Sequence, residues 1–243
     1  MIDTNLIFDL GLHKGLDTEY YLAKGFNVIG LEAVPHLCET ARALNEEAVA
    51  TGRLRIVNRA LHTEDDATVS FFVNPDKDDW GSLQRHAAEK GVGRAVEITT
   101  QTITLHQLFA SYGLPYYIKC DLEGGDAIFA SQLLAEAHRP DFVSIEATSA
   151  DDLAMLRAAG YTKFQIVNQC MNYMTRAPEP AREGVFVDQN FSNEMSGLFG
   201  HDLPAENWHS FAEIMSGFLD WYDLRLRHPQ LAIGWLDVHA THA

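Results

Sequence analysis

The stretch that decides the fold is "IFDLGLHKGLD", Ile7 to Asp17. An apolar run ends in Asp9, and Gly11 and Gly15 then bracket the pair His13-Lys14. A strand that turns into a helix through glycines lets the backbone approach a ligand closely. Glu32 follows at the end of the next apolar run, at the distance where an acid can hold ribose hydroxyls. A dinucleotide loop is the obvious reading, but that loop needs G-x-G-x-x-G, with the second glycine admitting pyrophosphate. His13 occupies that place, and Asp9 would set a carboxylate beside two phosphate charges.

A ligand with a ribose and a cationic amino-acid group, and no phosphate, removes both objections. S-adenosylmethionine is such a ligand. The competing readings are a tight strand-to-helix turn with an incidental acid, and an NAD(P)-dependent oxidoreductase on a similar sheet.

Working outward, residues 5–10 read as a strand, 17–24 as a helix stopped by Gly25, and 27–32 as a second strand. Pro35 sits where a first-turn proline belongs. It opens a helix through about Thr51, with Leu37, Ala41, Leu44 and Ala48 on one stripe, and residues 54–61 read as a third strand. This alternation predicts a parallel sheet covered by helices on both faces. Residues 67–73 and 95–103 have strand character. The polar stretch 74–93 between them is expected to be a loop with one helical turn, bordering a site. A helix over 104–112 with Thr104 as N-cap follows, then strands over 116–121, 141–147 and 162–168 with helices over 126–137 and 149–159 between them. Residues 170–207 are irregular and aromatic, a texture usual in functional loops. A helix over 207–227 and a last strand over 232–240 complete the chain.

The 243 residues allow one large domain with a real core. A net charge of −16 with no basic cluster argues against nucleic acid and against an anionic membrane surface. Three widely spaced cysteines, Cys38, Cys120 and Cys170, form neither a zinc motif nor a disulfide framework, which fits a reducing cytoplasm. No apolar run is long enough for a membrane span, and no signal peptide is read. Nothing decides oligomeric state; a homodimer is one open option.

The second stretch with chemistry is "YIKCDLEGGDAIF", 117–129. Asp121 and Glu123 end a core strand, where open α/β sheets bind ligands. Lys119, two residues earlier, points to the same face as Asp121 in a regular strand. Two carboxylates in one strand-end loop suit general-base work or a divalent cation. Asp126 reads instead as a helix N-terminal acid favoured by the dipole. Glu146 ends the neighbouring strand, so it can converge with Asp121 on a Mg²⁺-like ion or merely cap a loop.

Taken in order, D-x-G-x-x-x-G from Asp9, "NRAL" at 58–61, "GSL" at 81–83, "IKCDLEG" at 118–124 and "IEA" at 145–147 resemble the FkbM-type S-adenosylmethionine-dependent methyltransferases. The matching segments spread over about residues 6–168. "SGLFG" at 196–200 and "WLDVHA" at 235–240 also resemble C-terminal pieces seen in part of that family. The resemblance implies a class I methyltransferase (Rossmann-like) α/β fold, its mostly parallel sheet flanked by helices, with a C-terminal lid or insert before the last strand. It implies a donor-binding core over 1–169, a lid or acceptor-binding insert over 170–231, and a returning strand and tail over 232–243. It also implies, usually, O-methylation of a sugar, polyketide or other natural-product hydroxyl.

Carried over by position, Asp9, Gly11, Gly15 and Glu32 match donor-binding positions, with His13, Thr18 and Asp121 counted in the same set. Asn58 and Ala60 follow the third strand, where adenine rests, and Asp121 and Glu123 match the acids after strand four. The chain departs from the family at Leu12-His13-Lys14, where relatives commonly read A-N-x, and at Asp126, where they commonly have Glu. Asp121, Glu123 or His13 is the expected general base, with His209 and His239 weaker candidates. Asp121 and Glu146 are the expected ligands of an optional Mg²⁺. Phe186, Phe191, Met195 and Phe199 form either an apolar acceptor wall or plain core. A non-catalytic protein that binds S-adenosylhomocysteine is the remaining alternative.

Overall fold

A computed structural model describes residues 1–91 and 93–242. Val92, in the polar stretch after residue 73, and Ala243, the last residue of the expected tail, lie outside the described residues. The first third runs β1 (Ile2–Leu10), α1 (Leu16–Ala23), β2 (Asn27–Leu31), α2 (Pro35–Leu44), α3 (Glu46–Ala50) and β3 (Leu54–Val57). Next come β4 (Ala60–Leu61), β5 (Thr68–Asn74), β6 (Lys77–Ser82), α4 (Arg85–Glu89) and β7 (Val96–Ile103). The core resumes with α5 (Leu105–Tyr112), β8 (Leu114–Cys120), α6 (Asp126–Ala135), β9 (Phe142–Glu146), α7 (Ala150–Ala158) and β10 (Lys163–Asn168). After an irregular segment the chain ends with β11 (His209–Ser210), α8 (Phe211–Arg227) and β12 (Leu236–Thr241).

The main sheet has the order β11-β10-β12-β9-β8-β1-β2-β3. β3, β2, β1, β8 and β9 are mutually parallel, and β12 slots antiparallel between β9 and β10. Parallel neighbours need crossover helices, which explains the alternation along the chain. Without the short edge strand β11, the order counted along the chain is 3-2-1-4-5-7-6, the class I methyltransferase arrangement that the motifs implied. The direction of travel reverses at β1, so the crevice lies beyond the carboxyl ends of β1 and β8. Register then sets the site: Asp9 stands beside Lys119, and Leu10 beside Cys120, so Gly11 and Asp121 leave the sheet together.

Several expected elements are corrected. The strand expected over 54–61 splits, because β4 leaves the main sheet and pairs with β7 in a second, four-stranded sheet ordered β4-β7-β5-β6. Asn58 makes the break by donating its amide to the carbonyls of Glu32 and Ala33. The expected loop over 74–93 contains, besides the one expected helical turn (α4), the strand β6, so this insert is a built layer. The long helix after Pro35 breaks at Asn45, whose side-chain amide bonds the Ala41 carbonyl, and Leu44 of the expected stripe is exposed. α8 begins at Phe211 rather than near residue 207, because Ser210 and Glu213 form a reciprocal capping box there. Thr104 caps α5 as expected, accepting from the Gln107 amide.

Two large apolar clusters cover the faces of the main sheet. One takes in Ile214 and Phe218 of α8 with Leu153 and Leu156 of α7, so the helical half of 170–231 packs on the core. The irregular half covers the other face. Phe199 is fully buried there, stacked on Tyr117 at 5.0 Å and edge-on to Tyr21 at 5.1 Å and Phe26 at 5.5 Å. Two buried polar ties fix this segment. The Lys24 ammonium lies 2.7 Å from the Asp202 carboxylate, and Glu183 accepts hydrogen bonds from the Tyr116 hydroxyl and the His201 amide. Phe191, Met195 and Phe199 are therefore core, while Phe186 is exposed, and none of them lines the cavity described next.

Candidate active site

A cavity of about 740 Å³ opens at the carboxyl ends of β1, β2, β8 and β9. Gly11 forms its floor in a left-handed conformation, φ +85°. A Cβ there would fall inside the carbonyl of Asp121, so only glycine lets the β1 and β8 ends approach this closely. The sheet-side acids are sorted by their partners. Asp9 is fully buried and does not reach the cavity; its Oδ2 accepts the Thr18 hydroxyl at 2.7 Å. Thr18 likewise acts behind the wall, holding Asp9. Gly15 (φ +82°) lets α1 pack on α2, where a Cβ would press Ala41 and Asn45 at 3.2 Å.

Glu32 does reach the cavity. Its two carboxylate oxygens accept the His13 and Val34 amides, each at 2.8 Å. The Ala33 amide also acts on it, and since a carboxylate has about four acceptor positions, acceptor capacity is left for a ligand hydroxyl. Burial raises its pKa, against the pull of those amides. Ala60 and Leu61 line the cavity with Val34, Leu37 and Phe71, an apolar slot suited to a flat ring. Asn58 stays outside the slot and acts as the clip between β2 and β3.

The departure at His13-Lys14 has a structural partner in the inserted sheet. His13 Nε2 lies 3.2 Å from Asp78 Oδ1 on β6, and Lys14 Nζ lies 3.0 Å from Asp78 Oδ2. Burial alone would raise Asp78, but the bonds from Lys14 and His13 bring it below the usual carboxylate range. His13 itself has φ +51°, uncommon for a residue with a Cβ. The imidazole Nε2 is thus engaged in a clamp between the β1–α1 loop and the insert.

On the other side of β1 the acids converge. Asp121, Glu123 and Glu146 each bring a carboxylate oxygen within 4.8 Å of the others. Glu123 is also left-handed, φ +49°, and the insert holds it in place. Its backbone carbonyl accepts the Ser82 hydroxyl at 2.7 Å, and its carboxylate meets Lys90 Nζ at 2.6 Å. Burial and the neighbouring Asp121 raise Glu123 to about 7, with Lys90 pulling the other way. Burial, Asp121 and Glu123 raise Glu146 to about 9. Asp237 of β12 stands directly opposite Glu146, and burial pushes its pKa well up. Asp126 lies behind the loop, accepting from Cys120 Sγ and the Gly124 amide, as a helix-end acid should.

Lys119, Asp17, Asp78, Trp80 and Gln169 also line the cavity and were not singled out as site residues from sequence. Lys119 alone had a legible signal, its i, i+2 spacing to Asp121. Asp17 reads as an ordinary first-turn acid, yet it accepts the Ser196 amide at 2.9 Å and ties the C-terminal segment to the start of α1. His239 is buried one strand from the site, with a pKa lowered by burial to about 3, and His209 is exposed on the edge strand. Neither lines the cavity.

The family model described as "Methyltransferase FkbM domain" matches residues 9–163. No curated protein matches the chain significantly. Among solved structures, the precorrin-6Y C5,15-methyltransferase of Geobacter metallireducens aligns at TM-score 0.39 and 12% identity, over 78% of this chain and 76% of that one. The structure described as StiE O-MT aligns at TM-score 0.45 and 9% identity, over 98% and 67%. The family match over residues 9–163 sets the NAD(P) oxidoreductase reading aside: the chain belongs to the FkbM methyltransferase domain family.

Proposed function

We propose that this methyltransferase transfers the methyl group of S-adenosylmethionine to a hydroxyl of a small molecule, such as a sugar, a polyketide or another natural product. The observation that carries the proposal is the carboxyl triad Asp121–Glu123–Glu146, separated by β1 from the Glu32–Ala60 slot within one cavity. The residues fit the donor. Gly11 provides close backbone approach, Glu32 keeps acceptor capacity for a ribose hydroxyl, and the Ala60–Leu61 wall suits adenine.

When bound, the donor supplies an electrophilic methyl on a sulfonium. A hydroxyl is a poor nucleophile until its proton is removed, so a base worth roughly a hundred- to ten-thousand-fold is expected. Glu123 is the best placed. A carboxylate near 7 matches the working pH, and its strained backbone is held by Ser82 and Lys90 from the insert. Asp121 is the second carboxylate beside the same position. Holding acceptor and donor in one cavity supplies much of the remaining acceleration.

The triad also favours a second reading, in which Asp121 and Glu146 hold Mg²⁺, since a hard cation takes oxygen ligands and would relieve the repulsion that raises Glu146. Titration calorimetry of the protein with Mg²⁺ and Mn²⁺ separates the two. Saturable binding lost in Glu146→Gln supports the ion, and no heat with undiminished turnover in chelator removes it. For the main proposal, the test is methyl transfer from S-adenosylmethionine to a panel of hydroxylated small molecules. Tight S-adenosylhomocysteine binding without transfer to any acceptor would favour a non-catalytic role. A thermal shift with NAD⁺ and none with S-adenosylhomocysteine would contradict the donor assignment.

A further inference from the structure

The sequence places a cationic ligand beside Asp9, but the structure gives Asp9 a cation of the chain's own. Lys119 Nζ lies 3.4 Å from Asp9 Oδ1, 3.8 Å from Asp17 Oδ2 and 3.8 Å from Asp121 Oδ2. Its side chain is 6% exposed, yet it forms part of the cavity wall. An ammonium carries three N–H donors. One is spent on the Gly11 carbonyl at 3.0 Å. The three carboxylates stand beyond normal hydrogen-bond length, so they compensate the charge without using up the other two donors.

The remaining cations at the cavity are differently engaged. Lys14 pairs with Asp78, Lys90 with Glu123, Arg59 with Asp66, and Arg225 donates to the Gly234 carbonyl. Lys77 lies over the Trp80 ring, 5.9 Å from its centroid. Lys119 is thus the buried cation with donors to spare, one residue pair from the Gly11 turn and two residues from Asp121. The methyl donor's amino-acid end is a zwitterion, and beside Lys119 its carboxylate must enter a wall that also carries Asp17, Asp121, Glu123 and Glu146. An anion in such surroundings needs a cation in direct hydrogen-bond contact.

We infer that Lys119 receives the carboxylate of the methyl donor's amino-acid end, with Asp17 and Asp121 flanking it as partners for the ammonium. The two poles of the ligand then meet charges of opposite sign along one wall. This rests on the methyl-donor reading of the cavity and names a binding residue within it.

The test compares two ligands by equilibrium binding: S-adenosylhomocysteine, and its decarboxylated analogue, which keeps the ammonium and lacks only the carboxylate. Wild-type protein should bind the first about tenfold or more tighter, as expected for a charge-assisted hydrogen bond. The variant Asp9→Asn/Lys119→Met removes one charge of each sign, and the ratio of the two affinities should fall toward one. In wild-type protein the nitrogen NMR resonance of the Lys119 ammonium should move with S-adenosylhomocysteine and not with the analogue, a readout that needs no variant. Equal affinities in wild type, a ratio that survives in the double variant, or an unmoved ammonium resonance would overturn the inference. Binding of neither ligand would instead overturn the donor reading itself.

Discussion

Replacing Glu123 by Gln removes the proposed base while keeping the shape of the side chain. Burial and Asp121 hold Glu123 at about 7 in the folded chain, against the pull of Lys90. At pH 8 about nine-tenths of the wild-type molecules therefore carry the ionised base. Loss of a general base costs roughly 10²–10⁴ in rate, or about 2.7–5.4 kcal/mol at about 1.36 kcal/mol per tenfold. The assay is single-turnover transfer across pH 5.5–9 with saturating donor. Wild type should show an acid limb centred near pH 7, and Glu123→Gln should be slow throughout with that limb gone.

Stability provides an internal control. The folded-state value lies above the usual ~4.3, so the folded chain keeps a proton that the unfolded chain has already released. The contribution of this group is fully present below about pH 4 and is lost as pH rises to about 7. Gln carries no such penalty at pH 8, so the variant should melt no lower than wild type there. A variant that keeps its rate within about threefold, or that retains the acid limb, would refute Glu123 as base.

Three further outcomes follow from the same geometry. Gly11→Ala places a Cβ inside the Asp121 carbonyl at a left-handed position, so it should lower the melting temperature and abolish S-adenosylhomocysteine binding by calorimetry. Asp78→Asn weakens the clamp on His13 and Lys14; because Asp78 is about a third exposed, stability should fall by less than about 1 kcal/mol in urea melts, while the donor KM rises severalfold. Lys24→Met leaves the Asp202 carboxylate buried and unpaired, which should cost about 3–5 kcal/mol at neutral pH, measured by denaturant unfolding.

The core of the fold was legible because each strand and its crossover helix carry their own signals. Apolar runs end in glycine, proline or an acid, and Asp9, Glu32, Asp121 and Glu146 all mark strand ends. In the inserted sheet the strands near 67–73 and 95–103 were legible, but β6 and the separate pairing of β4 were not, for a physical reason. β6 reads "KDDWGS", and its strand conformation comes from pairing with β5 and from partners across the cavity: Asp78 to His13, Ser82 to Glu123. Such contacts are set by tertiary placement, not by periodicity. The same holds for the apolar residues of 186–199. Their spacing shows hydrophobicity but not which side they face, and Phe199 went to the aromatic core around Tyr117. The site was legible as a set of acids, but the sorting was not. Asp9 and Asp121 look equivalent in sequence, and only the structure shows one buried behind Lys119 and the other open to the cavity.

The most direct measurement is product analysis with carbon-labelled S-adenosylmethionine and hydroxylated acceptors, read by NMR of the transferred methyl. The account predicts a methoxy carbon on the acceptor, formed by wild type and lost in Glu123→Gln. A labelled methyl found only on nitrogen, carbon or sulfur, or formed equally well by Glu123→Gln, would contradict it.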